Sequence, residues 1–188
     1  MHAHRAAALA LLLLTAVAGC ERKPVQAVPA TPTTTVPGVT IDDAANASYP
    51  TDVNDSGVLA LRDGRYEDAD LVSAALDDLS AAGDLDGDGV DDLAVVLVAN
   101  TGGSGVFRDL YVLRRQTEKL LVSAPGALGD RVVVNGLRIE RGEIVVDLVV
   151  QSETDPLCCP TLPVSYRFRL AGNELVELSG ARRLHLKM

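Results

Sequence analysis

The run Gly83-Asp84-Leu85-Asp86-Gly87-Asp88-Gly89-Val90-Asp91-Asp92 constrains this chain more than any other stretch, because acidic side chains recur at alternate positions before a glycine turn. Carboxylates held this close repel one another unless a cation lies between them. A hard divalent ion surrounded by oxygen ligands turns that repulsion into a stable loop, so the run predicts a bound calcium ion. Counting from Asp84, carboxylates stand at positions one, three, five and nine as Asp84, Asp86, Asp88 and Asp92, with Gly89 at position six. Alternate side chains point inward as such a loop curls, and the glycine permits the sharp turn. The carbonyl of Val90, at position seven, is placed to supply a backbone oxygen.

An EF-hand would also need a glutamate at position twelve and a helix on either side. Position twelve is Val95, inside the run Leu93-Ala94-Val95-Val96-Leu97-Val98-Ala99, which is apolar throughout. Such a run fits a central strand covered on both faces. Around it the chain reads as mainly β, or α+β: a single domain with an antiparallel sheet of hairpins and one calcium loop leading into the central strand. Val164-Ser165-Tyr166-Arg167-Phe168-Arg169-Leu170 alternates apolar and polar residues, so one face is core and one is wet. Leu137-Arg138-Ile139-Glu140 and Glu143-Ile144-Val145-Val146-Asp147-Leu148-Val149-Val150 read as a hairpin turning at Arg141-Gly142. Asp63-Gly64 similarly separates Val58-Leu59-Ala60-Leu61 from Tyr66.

Asn100-Thr101-Gly102-Gly103-Ser104-Gly105 reads as a hairpin loop. A phosphate cradle would need a helix N-terminus directly after it, whereas Phe107-Arg108-Asp109-Leu110-Tyr111-Val112 is strand-like. Residues 68–79 are ambiguous: the spacing of Leu71, Val72, Leu76 and Leu79 predicts helix early and strand late.

At the N-terminus, Met1-His2-Ala3-His4-Arg5 precedes an apolar stretch from Ala6 to Ala18 and then Gly19-Cys20. A positive start and a short apolar segment describe an export signal, since a membrane-spanning helix needs about 20 apolar residues. Residues 21–47 carry Pro24, Pro29, Pro32 and Pro37 among Thr31, Thr33, Thr34 and Thr35, the composition of an extended tether. The organisation expected is therefore a signal peptide over 1–19, Cys20 and a tether over 20–47, and a β-rich domain over 48–188. The formal charge of −9, with no basic stripe to offset it, argues against nucleic acid as a partner.

Val17-Ala18-Gly19-Cys20 resembles the lipobox of bacterial lipoproteins, with Val17 where leucine is commoner. The resemblance implies a diacylglyceryl thioether on Cys20 and an N-acyl group, hence a membrane partner reached through that cysteine. In a diderm host, Glu21 would resemble the residue of lipoproteins sorted to the outer membrane. Residues 83–96 resemble the calcium loop of FG-GAP and VCBS repeats, which implies ligand roles for Asp84, Asp86, Asp88, Val90 and Asp92, with Asp91 pointing away. Those families carry several copies, and their upstream Phe-Gly element is replaced here by Ala81-Ala82-Gly83, so a propeller is not expected. More loosely, the order of this loop, residues 101–105, Gly129-Asp130-Arg131-Val132-Val133-Val134 and Asp155-Pro156-Leu157-Cys158-Cys159-Pro160-Thr161 resembles a group of uncharacterised bacterial envelope proteins, which implies no activity.

Apart from Cys20, the cysteines are the adjacent Cys158 and Cys159. In an exported domain they admit a structural vicinal disulfide or two buried thiols; a redox switch or a soft-metal site is the functional alternative. Three functions remain to be weighed. A lipid-anchored, calcium-stabilised β domain with a structural or binding role explains address, tether and loop together. A thiol- or metal-handling lipoprotein would work through Cys158 and Cys159, and a hydrolase would use carboxylates such as Glu140 and Glu143. No nucleophile with its base stands out, so catalysis is not expected. The absence of Trp and an aromatic content of 3% remove the usual platform for carbohydrate.

Overall fold

Two apolar stripes on one strand organise the fold. The computed structural model describes residues 37–178, which belong to one compact unit. The expected signal segment, Cys20 and most of the expected tether lie outside the described residues. In chain order the elements are α1 (Ile41–Ala45), β1 (Ser48–Pro50), β2 (Val58–Ala60), β3 (Arg65–Glu67), β4 (Val72–Gly83), β5 (Asp92–Thr101) and β6 (Phe107–Gln116). They continue with β7 (Lys119–Val122), β8 (Gly126–Asp130), β9 (Val133–Glu140), β10 (Glu143–Val150), β11 (Leu162–Ala171) and β12 (Glu174–Glu177).

Every pairing is antiparallel. The larger sheet runs β3-β4-β5-β6-β7, with β8 pairing the first half of β6 and β7 its last residues. A second sheet runs β12-β11-β10-β9, and β1 pairs with β2 alone. The fold is thus mainly β, with open sheets and no propeller among the described residues.

β5 lies inside the larger sheet and is covered on both sides. Ala94 and Val96 join Leu110 and Val112 of β6 against Ile144, Val146 and Leu148 of β10 and Phe168 and Leu170 of β11. Leu93, Val95, Leu97 and Ala99 point the other way, towards Val39, Ala44, Ala47, Tyr49, Leu59 and Leu61. From Leu93 to Leu97 neither face of β5 meets water, which is why its sequence lacks alternation there. β11 has one wet face and keeps the period of two.

Two expectations need correction. The body does not begin at residue 48: Val39, Ala44 and Ala47 are buried core residues, and α1 is capped by a reciprocal Thr40–Asp43 box. A short helix of this kind is held by packing rather than propensity, and here the Tyr49 hydroxyl donates to the Ala44 carbonyl at 2.7 Å. Nor do residues 68–79 contain a helix. Val72, Ala74 and Leu76 alternate inward on β4, and a register shift between Leu76 and Ser80 then breaks the period. Leu71, at a left-handed φ of 65°, is 71% exposed. Pairing with β5 prevailed over a weak helical spacing.

The turn residues behave as their types dictate. Asp63-Gly64 and Arg141-Gly142 both adopt consecutive left-handed conformations, the two-residue geometry that suits the twist of a hairpin.

Leu59→Ala tests whether the N-terminal layer is integral to the core. Leu59 is 1% exposed, so the substitution should cost about 2–5 kcal/mol in denaturant unfolding. A loss below about 0.5 kcal/mol would mean that the layer is not part of the cooperative unit.

Candidate metal centre

The acidic run is the connection between β4 and β5, adjacent strands whose last pair is Gly83 with Asp92. Leu85 anchors it by turning into the core beneath the second sheet. Gly87 and Gly89 take left-handed φ values of 84° and 83°, which lets the chain curl back on itself. Carboxylate oxygens of Asp84, Asp86 and Asp88 then lie within 4.8 Å of one another.

Backbone amides hold these side chains in place. Asp84 accepts from the N–H of Gly87 at 2.7 Å and of Gly89 at 3.0 Å. Asp86 accepts from Asp88 N–H at 3.2 Å, and Asp88 from Val90 N–H at 2.8 Å. These bonds orient the carboxylates but do not cancel their charge. Arg114 of β6 does so in part, with Nη1 3.2 Å from Asp86 Oδ2 while Nη2 donates to Asn173 Oδ1 at 3.3 Å. The donor set is entirely oxygen and retains excess negative charge, so the group can hold a hard metal ion.

Asp92 has a different position from the other carboxylates of the run. It is 2% exposed, is not among the three that converge, and accepts from the Leu85 N–H at 2.9 Å across the base of the loop. Burial pushes its carboxyl up to about 6; the charges of Asp86 and Asp88 add to this, while the Leu85 bond and Arg114 oppose it. Asp91 is exposed, and its carbonyl accepts from Val39 N–H at 3.2 Å. A shallow recess of about 250 Å³ beside the loop is lined by Asp86, Asp88, Arg114 and Leu121, among others. Arg114 could not be found from spacing, because it stands 28 residues from Asp86 and reaches it only through strand pairing.

The other candidate groups are elsewhere. Glu140 is paired with Arg138 at 2.6 Å and Arg167 at 3.8 Å, and Glu143 with Arg169 at 2.8 Å and Arg167 at 3.3 Å. The bond from Arg169 leads the effects that hold the Glu143 carboxyl below its ordinary range, opposite to the upward shift a general acid needs. Cys158 and Cys159 are joined by a disulfide in the loop between β10 and β11, and both are exposed.

A scan against protein-family models finds none that matches the chain, and comparison with curated proteins and with solved structures finds no match either.

Asp155 organises the cysteine loop and supplies a pH test. It accepts from the N–H groups of Ser152 at 2.9 Å and Thr161 at 2.8 Å, and from Thr161 Oγ1 at 2.9 Å. The Ser152 bonds lead the effects that bring its carboxyl down to about 2. A depressed folded value means that its stabilising contribution is full above the ordinary aspartate pKa of about 3.9 and is lost as pH falls through about 2. Carboxyl-detected NMR should place the Asp155 midpoint near 2, and an ordinary midpoint would show that these bonds do not persist in solution.

Proposed function

We propose that this chain is a lipid-anchored protein of the bacterial cell envelope, in which a calcium ion stabilises the β domain and the role is structural or binding. The observation that carries the calcium part is the convergence of Asp84, Asp86 and Asp88 within 4.8 Å. Three carboxylates at that separation oppose folding unless countered, and the Arg114 guanidinium that pairs with the group reaches Asp86 alone among the described contacts. Calcium suits an all-oxygen loop of this kind, and extracellular modules of such composition bind it at about 0.1–1 mM. Of the ligand set read from the spacing, the Val90 carbonyl would join the three converging aspartates, whereas Asp92 would serve the loop by pinning its base to Leu85.

The address rests on Val17-Ala18-Gly19-Cys20 and the basic, apolar segment before it. Acyl chains on Cys20 would anchor the protein, each buried methylene contributing about 0.8 kcal/mol. Among the described residues no helix is long and apolar enough to cross a membrane. Carboxylates ordered by backbone amides support a cation-binding role for the loop.

Thermal melting of the full chain in detergent tests the metal. At calcium about 100-fold above its dissociation constant, binding stabilises the native state by about 2.7 kcal/mol, a rise in midpoint of about 5–10 °C over the chelated sample. Asp88→Ala should keep less than about a quarter of that rise. Equal midpoints with calcium and with chelator would refute the calcium role.

Membrane fractionation tests the anchor separately. Wild-type protein should sediment with membranes and carry the mass of attached acyl chains, whereas Cys20→Ser should be released unmodified. Wild-type protein without acyl mass would refute lipidation while leaving the calcium result intact.

A further inference from the structure

We propose that Cys158–Cys159 is a redox site in its own right, a disulfide opened reversibly by an external dithiol while the domain stays folded. Its position separates it from bonds that hold a fold together. It joins neighbours in sequence, so it ties no two elements to each other and removes almost no loop entropy from the unfolded chain, the usual route to stabilisation.

The loop has its own scaffold besides the sulfur bond. Asp155 binds both of its ends through Ser152 and Thr161. Gln151 Nε2 donates to the Leu157 carbonyl at 2.9 Å, and Cys159 N–H donates to the Pro156 carbonyl at 3.0 Å. With the base of the loop fixed in this way, opening the disulfide frees the tip alone.

Access favours exchange. Both cysteines are exposed, between Pro156 and Pro160, and Leu157 beside them is 71% exposed. Thiol–disulfide exchange proceeds by attack of a thiolate along the S–S axis, so an exposed bond is open to it and a buried one is not. An uncovered leucine next to the sulfurs offers apolar contact to the incoming reagent.

The charge of the neighbouring sequence bears on which partner supplies the attacking thiolate. Residues 142–166 contain no Lys, Arg or His, and the charged side chains within the loop are Glu153 and Asp155. The neighbouring sequence supplies no cation to favour a thiolate, so in the proposed step the oxidised pair is the partner that is attacked. The reagent is therefore a dithiol that brings its own reactive thiolate.

The step balances without any other component. The reagent's thiolate attacks one sulfur, the Cys158–Cys159 bond breaks, and the released cysteine thiolate takes a proton. The reagent's second thiol then displaces the remaining cysteine, leaving the reagent as a disulfide and the protein as two thiols. Two electrons and two protons have passed to the protein. Oxidation by a disulfide runs the same path in reverse.

The experiment uses the full chain in detergent, with dithiothreitol as the dithiol and alkylation sites located by peptide mass. Oxidised protein should take no label at Cys158 or Cys159. Dithiothreitol without denaturant should expose both to labelling at a rate within about tenfold of that in denaturant, and oxidised glutathione should reverse it. Far-UV circular dichroism should not change on reduction, and Cys158→Ser with Cys159→Ser should shift the melting midpoint by less than about 2 °C. The proposal is overturned if both cysteines label without reductant after oxidation. It is equally overturned if reduction needs denaturant, or if the double serine variant loses the fold. None of these readouts depends on calcium or on Cys20.

Discussion

β5 bears the central constraint of this structure, because its two faces must satisfy two different apolar layers at once. Ala94 and Val96 belong to the layer shared with the second sheet, while Leu93, Val95, Leu97 and Ala99 belong to the layer beneath the N-terminal segment. A one-residue slip would exchange these sets and place short side chains where long ones are needed. The register is fixed where β5 begins, by Asp92 opposite Gly83 and by the bond from Leu85 N–H to the Asp92 carboxylate. Gly83 fits there because a Cβ would stand 3.0 Å from Ile139 Cγ2 of β9.

The acidic loop is thus an extension of the core. Leu85 is buried, Asp92 is buried, and between them the polar residues must remain outside. The amides that bind Asp84, Asp86 and Asp88 make the loop compact, and compaction is what draws the carboxylates together. Shape and charge therefore pull in opposite directions, and a cation held between the three carboxylates would relieve the conflict. Arg114 relieves part of it from the neighbouring strand, and it does so at Asp86 rather than at the centre of the group.

How much of this could be read beforehand follows from where water lies. β11 declared itself because one of its faces is wet, and β5 because neither is. The hairpin of β9 and β10 was visible in Arg141-Gly142, whose backbone takes the left-handed form such a turn needs. Of β4 only the later part was legible as strand; its start was not, since the exposed Leu71 beside the inward Val72 and Leu76 imitates a helical spacing. The N-terminal layer was missed because Val39, Ala44 and Ala47 are small and scattered among polar residues; the Thr40-x-x-Asp43 capping pattern was the signal that marked it. At the metal centre the alternating aspartates were legible, whereas Arg114 and the burial of Asp92 arise only when distant strands meet.

The bond from Val39 N–H to the Asp91 carbonyl, 3.2 Å long, ties the entry of the body to the rim of the acidic loop. A pull on the chain ahead of residue 39 is applied at the rim of the acidic loop before it reaches α1 or the strand pair β1-β2. Arg115, paired with Asp43 at 2.8 Å, holds the next segment to the end of β6. The leading segment and the acidic loop therefore share one backbone junction, so a change in the shape of the loop would be felt where the chain enters the body.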